Sequence, residues 1–191
     1  LIRFAPALNG GTIHLNHGVI GVLADYSLYV DASDLTNGIT VSGAHQSAVF
    51  NFLFSVATLR GLTIVDSSGS AVEAFIGYLG LEDCIFRDND TEHYGGALVV
   101  DDSFNASASI TRCIFDHNSA SGQGGAIFNR SIINITDSTF ANNHAGTNGG
   151  AIASGIYRVG LRVNNSTFSG NTADNGGAIA AGSLQLIHST I

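Results

Sequence analysis

Lysine, methionine and tryptophan are absent from this chain of 191 residues, proline occurs once, as Pro6, and cysteine only twice. With 7 arginines set against 15 aspartates and glutamates, the formal charge is −8. No basic surface is available to neutralise phosphates, which excludes nucleic acid as a partner and disfavours anionic membranes. The longest uncharged stretch, Leu35 to Leu59, is broken by Asn37, Ser42, His45, Gln46 and Asn51. Its apolar part falls short of the roughly 20 residues a spanning helix needs, so no membrane span is expected in this segment. Against a helical domain, lysine is absent, the chain is rich in Gly, Ser, Thr, Asn, Ile and Val, and no window reads as a helix of ten residues. Near-absence of proline and of any Gly-X-Y period among 24 glycines excludes collagen and proline-rich low complexity. An apolar fraction of 45% with 12% charged residues is the opposite of a disordered composition. What remains is an all-β chain with many turns, of a length for one globular unit. Leu1 is neither an initiator methionine nor the start of a signal peptide, so the sequence reads as a processed or excised portion of something longer.

The second half repeats. Gly95-Gly96-Ala97-Leu98, Gly124-Gly125-Ala126-Ile127, Gly149-Gly150-Ala151-Ile152 and Gly176-Gly177-Ala178-Ile179 recur at steps of 29, 25 and 27 residues. Between them run Phe86-Arg87-Asp88-Asn89, Phe115-Asp116-His117-Asn118, Phe140-Ala141-Asn142-Asn143 and Phe168-Ser169-Gly170-Asn171. Ahead of each Phe stand an aliphatic anchor (Leu81, Ile110, Ile135 or Val163) and then a small residue (Cys84, Cys113, Ser138 or Ser166). A degenerate copy, Leu59, Leu62, Ile64 and Gly69-Ser70-Ala71-Val72, precedes them, and a partial one, Leu186, Ser189, Ile191, follows. One domain over 1–191 is expected, with degenerate coils in 1–80 and clear repeats in 81–191.

Short β-type pieces separated by Gly and Asn turns, on a period of 25 to 29 residues, fit one coil of a β-solenoid. Each coil then lies in register on the last at about 4.8 Å, and equivalent positions stack into ladders. The expected fold is an all-β, right-handed parallel β-helix of about seven to eight coils. Its inward columns would be an aromatic stack of Phe86, Phe115, Phe140 and Phe168 and an aliphatic wall after each Gly-Gly-Ala. Asn89, Asn118, Asn143 and Asn171 would form a buried ladder at a turn, because Asn tolerates left-handed backbone and its amide can bond the copies above and below. Gly-Gly would make the next corner, where a Cβ clashes or φ is positive.

The paired Gly-Gly-Ala-Ile and Phe-x-x-Asn signatures resemble the repeats of polymorphic outer membrane proteins, the autotransporter adhesins. The resemblance covers 81–191, and Ile2-Arg3-Phe4 with Leu8-Asn9-Gly10-Gly11-Thr12-Ile13 is similar to the start of such β-helices. It implies a right-handed parallel β-helix, exported to the extracellular space or cell surface, with an adhesive or structural role. No C-terminal membrane barrel of the autotransporter kind is present in this sequence, and no catalytic residue transfers with the repeat.

Several residues are candidates for chemistry. Cys84 and Cys113 share a column one coil apart, close enough for a disulfide, though parallel Cβ vectors orient the sulfurs poorly; the alternative is two buried thiols serving as small core residues. Acidic residues crowd one coil and its border. Asp88, Asp90, Glu92, Asp101 and Asp102 are the candidate ligands if this coil holds Ca²⁺, the one cofactor considered, and the alternative is a solvated corner. Two cysteines alone do not make a zinc site, and the seven histidines fall in different columns. Sequons begin at Asn89, Asn105, Asn129, Asn134, Asn164 and Asn165, as a chain rich in Asn, Ser and Thr generates anyway.

Parallel β-helices include polysaccharide lyases and glycosidases. The lyase base, an Arg or Lys above a Ca²⁺ site, has only scattered arginines to draw on, and of the polygalacturonase series only Asp101-Asp102 is present. The expectation is therefore no catalytic centre. Partners would be copies of the chain stacked head to tail into a fibre, or a host or neighbouring-cell surface or glycan. The competing classes are a polysaccharide-active enzyme and a Ca²⁺-stabilised glycan-binding module.

Overall fold

A computed structural model describes residues 1–23, 26–101, 106–155 and 160–191. Apart from one short 3₁₀ turn at Pro6–Leu8, which proline can open because it needs no amide donor there, the described elements are strands. Every strand pairing among them is parallel. The strands form sheets of 13, 7 and 3 members, and the seven-stranded sheet takes one strand from each of about seven turns of a β-solenoid. That sheet runs from Thr12–His14 through Ile39–Ser42, Leu62–Val65, Ile85–Arg87, Ile114–Asp116 and Thr139–Ala141 to Thr167–Ser169.

One turn shows the plan. Leu98–Asp101 and Ser107–Thr111 lie on the first sheet, Ile114–Asp116 on the second and Ser119–Ala120 on the third. Alternation along each strand sends one side chain in and the next out: in Ile132–Thr136, Ile133 and Ile135 are buried while Ile132 and Asn134 are exposed. Earlier turns cross the first sheet in single strands, Phe50–Arg60 and Val72–Glu82, with left-handed backbone at Phe54 and Gly77.

The inward columns make the core. Phe86, Phe115, Phe140 and Phe168 stack with centroids 4.9, 4.7 and 4.8 Å apart and planes within 4° of parallel. Their spacing is that of the strands themselves, and aromatic pairs at such centroid distances are worth about 0.5–1.5 kcal/mol each beyond burial. The column continues into the degenerate half as Ile64, Val41 and Ile13, in register with it. Leu81, Ile110, Ile135 and Val163 form a second, fully buried column.

The corners rest on left-handed residues. One column holds Asp83, Arg112, Asp137, Asn165 and His188, at φ between 45° and 53°. A second holds Asp66, Asp88, His117 and Asn142, at φ of 53° to 55°, then Gly170. Asp, Asn and His accept this backbone at lower cost than other L-residues. The left-handed residue of the second corner precedes the ladder asparagine rather than being it. Extended backbone resumes at the asparagine, which leaves its side chain pointing inward: Asn118 and Asn143 are at most 1% exposed. At the Gly-Gly corner the two glycines answer different needs. Gly124 has φ +68°, while a Cβ on Gly125 would run into the backbone oxygens of Gly150 and His144.

Candidate functional site

Each ladder asparagine uses both ends of its amide. Asn118 Nδ2 donates to Phe86 O at 3.0 Å and to Asn143 Oδ1 at 3.0 Å, and Asn118 Oδ1 accepts from Asn89 Nδ2 at 2.9 Å. Asn143 repeats the pattern, donating to Phe115 O and to Asn171 Oδ1. Each amide thus ties the carbonyl of a strand residue one turn back to the neighbouring copies of the ladder, and the ladder's bonding capacity is used inside the fold.

The column of small residues is also a ladder. Ser138 Oγ accepts from Cys113 N at 3.1 Å, Ser166 Oγ from Ser138 N at 3.1 Å, and Ser189 Oγ from Ser166 N at 3.1 Å. Cys84 and Cys113 occupy its first two places as free, buried thiols. The neighbouring Cys113 thiol, together with burial, pushes the Cys84 thiol well above its ordinary value, so it is a thiol and not a nucleophilic thiolate, and its Sγ lies within hydrogen-bond reach of Leu59 O and Glu82 O. A further polar column went unread in the sequence. Asn129 Nδ2 donates to Ser154 Oγ at 3.0 Å, Asn129 Oδ1 accepts from Ser131 N at 2.8 Å, and Ser131 Oγ bonds Ala106 O. Only the recurrence of Asn and Ser two residues after an inward aliphatic hinted at it. Asn89 and Asn129, two of the sequon asparagines, are buried, and Asn105 lies outside the described residues.

The acidic candidates lie on different elements. Asp88 sits on the left-handed corner, Asp90 begins the third sheet, Glu92 follows it in the turn, and all three are exposed. Asp101 is on the first sheet, with Oδ2 3.5 Å from Arg130 Nη1. Asp102 lies outside the described residues. Among those described, no three His, Cys, Asp or Glu side chains gather as a metal site. Asp83 is committed elsewhere: Arg112 Nε and Nη2 donate to its two oxygens at 2.6 and 2.9 Å, which holds the carboxyl below its ordinary value.

A cleft of about 400 Å³ lies on the outside of the first sheet beneath the Gly-Gly corner, and a second of about 340 Å³ lies farther along the solenoid, lined by Ile132, Asn134, Leu161, Arg162, Leu184 and Gln185. Outward residues from three successive turns line the first cleft, among them Glu73, Tyr94, Asp101, Gln123, Phe128 and Arg130. Tyr94 and Phe128 stack with centroids 4.8 Å apart, and Asn51 Nδ2 donates to Glu73 Oε2 at 3.0 Å. Burial raises the Glu73 carboxyl above its usual range.

Fold and columns together define the class, a parallel β-solenoid repeat protein whose periodic residues are structural. Three segments, 112–130, 137–155 and 165–182, match the Chlamydia polymorphic membrane protein repeat. The first of them contains Cys113, Phe115, Asn118 and Gly124-Gly125-Ala126-Ile127, so the matched unit joins the second-sheet strand, the asparagine corner and the glycine corner of one turn. The repeat is that of a surface family of membrane proteins. No curated protein and no solved structure matches the chain. Among the described residues no helix is long and apolar enough to cross a membrane.

Proposed function

We propose that the chain is an adhesive and structural segment of a surface-displayed protein, holding its outward residues extracellularly on a rigid solenoid, without a catalytic centre of its own. The observation that carries this reading is the division of labour between columns. The recurring Phe, Asn, Gly-Gly and small residues are inward or at corners, bonded to their own copies, and none is left facing a substrate. A solenoid of this kind is a spacer and a display surface, since each turn contacts only its neighbours and the outward positions are free to vary.

The test is binding of the purified chain to host or neighbouring cells, scored with and without excess soluble chain as competitor. Saturable, competed binding is the expected result; its absence defeats the adhesive role. Pectin and alginate incubated with the chain, with and without Ca²⁺, should show no depletion, and turnover of either would replace this reading with an enzymatic one. Parallel in-register pairing of strands can continue from one molecule to the next, and we further propose that copies stack head to tail. Sedimentation at rising concentration should then show growing species, and a constant monomer would remove the fibre from the proposal.

A further inference from the structure

Inward columns of the solenoid are nearly uniform because each turn meets the same packing problem; outward columns carry no such constraint. A place where outward residues depart together from their column is therefore informative. The column before Gly-Gly reads Tyr94, Gln123, Asn148, Asn175, and its one aromatic stands over the cleft. The outward column of the first sheet reads Asn51, Glu73, Val99, Phe128, Ala153, Ala180, and its one carboxylate and its one aromatic line the same cleft. The next outward column turns from Leu53 and Phe75 to Asp101 and then Arg130. Three columns break their pattern at one spot.

The chemistry of the spot is mixed. Tyr94 is 46% exposed although it stacks on Phe128, and its ring is seated over Gly122, where a Cβ would come within 2.7 Å of it. The aromatic surface is thus preset and open to solvent. Glu73 is a half-buried carboxylate whose protein partner in the cleft is the Asn51 amide. Gln123 adds an amide, and the charges of Asp101 and Arg130 offset each other. A phosphate or acidic sugar would meet the Glu73 carboxylate, with the His93 imidazole and an arginine already engaged by Asp101 to compensate. A purely apolar ligand would leave Glu73 and Gln123 desolvated without partners. A ligand with an apolar face and a rim of hydroxyls meets both demands: its axial C–H groups, slightly positive, lie on the negative ring faces, and its hydroxyls donate to the carboxylate and exchange bonds with the amide. About 400 Å³ is within the range of small-ligand clefts, roughly 300–1,000 Å³.

We propose that the cleft formed by Glu73, Tyr94, Gln123 and Phe128 binds an uncharged pyranose unit of a glycan, and that it is the contact through which the adhesive role is exercised. This rests on the adhesive reading above and deepens it.

The whole chain is titrated by calorimetry and ligand-observed NMR with cellobiose, maltose and lactose as neutral probes and with digalacturonate as the acidic one. At least one neutral disaccharide should bind saturably, and digalacturonate should bind more weakly or not at all. Tyr94→Ala should weaken the neutral probe about five- to tenfold. Glu73→Gln, which keeps the side-chain shape, should weaken it several-fold and serves as the test variant if Tyr94→Ala does not fold by circular dichroism. No binding by the three neutral probes, tighter binding of digalacturonate, or unchanged affinity in the folded variants overturns the proposal. Cell binding by the same variants separates it from the reading beneath it. Adhesion that survives loss of sugar binding overturns the cleft as the adhesive contact and leaves adhesion standing. Sugar binding by a chain that adheres to no cell defeats the adhesive reading and keeps the site.

Discussion

The rings of Phe115 and Phe140, 25 residues apart in sequence, stack with centroids 4.7 Å apart and an interplanar angle of 0°. Phe115 also stacks on Phe86, so it is held from both sides. Phe115→Ala removes two aromatic contacts and opens a cavity that parallel strands cannot close by sliding, at a cost of about 3–5 kcal/mol. Because a solenoid turn touches only its neighbours, the damage should be local. Hydrogen exchange should show protection lost over Ile85–Arg87, Ile114–Asp116 and Thr139–Ala141 and retained over Ile39–Ser42.

Asn118 carries a different kind of load. Asn118→Asp keeps the volume but removes both amide donors, leaving Phe86 O and Asn143 Oδ1 facing a buried carboxylate. Asn118→Ala removes one bond each from Phe86 O, from Asn143 Oδ1, which keeps the Asn118 N–H, and from the Asn89 amide, which keeps Ile64 O, at about 0.5–1.5 kcal/mol for each bond lost. Asp should therefore be worse than Ala at neutral pH and should recover in part in acid as the carboxyl takes up a proton. Urea midpoints of the two variants at pH 7 and pH 4 check the order and its change.

How much of this was legible depended on which way a side chain faces. The columns of Phe86 and Leu81 could be read from the chain because an inward position has the same neighbours in every turn and keeps one residue type. Ile64 is legible as the degenerate copy of the Phe position, whereas Val41 and Ile13, which complete the column, do not announce themselves until the register is seen. The left-handed backbone expected at Asn118 belongs to His117, since a sequence motif marks a turn without saying which of its residues turns inward. Asp88, Asp90 and Glu92 are close in sequence, yet they are divided between the left-handed corner, the third sheet and the turn after it, and gather no third ligand with the other acids described. The cleft is the reverse: Glu73, Tyr94 and Phe128 are scattered along the chain and converge only when three turns are stacked.

Cys113 sits in a column that is otherwise serine downstream, so Cys113→Ser has a ready bonding pattern: its hydroxyl can donate to Thr111 O, as Ser138 Oγ does to Thr136 O. The substitution should change stability by less than about 1 kcal/mol, whereas Cys113→Leu, overfilling a fully packed position, should cost about 1–3 kcal/mol. Thiol titration with a chromogenic disulfide reagent should find both cysteines silent in the native chain and both reactive after unfolding in denaturant without reductant. A pair that stayed silent after unfolding would be a disulfide.

Glu73 gives the last prediction, because burial alone raises its carboxyl and the sign follows from that. The folded chain holds this proton more tightly than the unfolded one. The contribution to stability is therefore fully present below the ordinary carboxyl range and is lost as pH rises through the raised folded value, so at neutral pH the ionised group is a cost. Glu73→Gln removes the charge and keeps a carbonyl that can accept from the Asn51 amide. The variant should melt at a higher temperature than the parent at pH 7, and the gap should close as pH falls through the raised folded value to the ordinary carboxyl range, below which the parent carboxyl is protonated in both states. A cleft that is paid for in stability and then binds less sugar once the cost is removed is behaving as a site. If Glu73→Gln instead melts lower at pH 7, the carboxylate is an asset to the fold, and its place in the cleft is explained by packing alone.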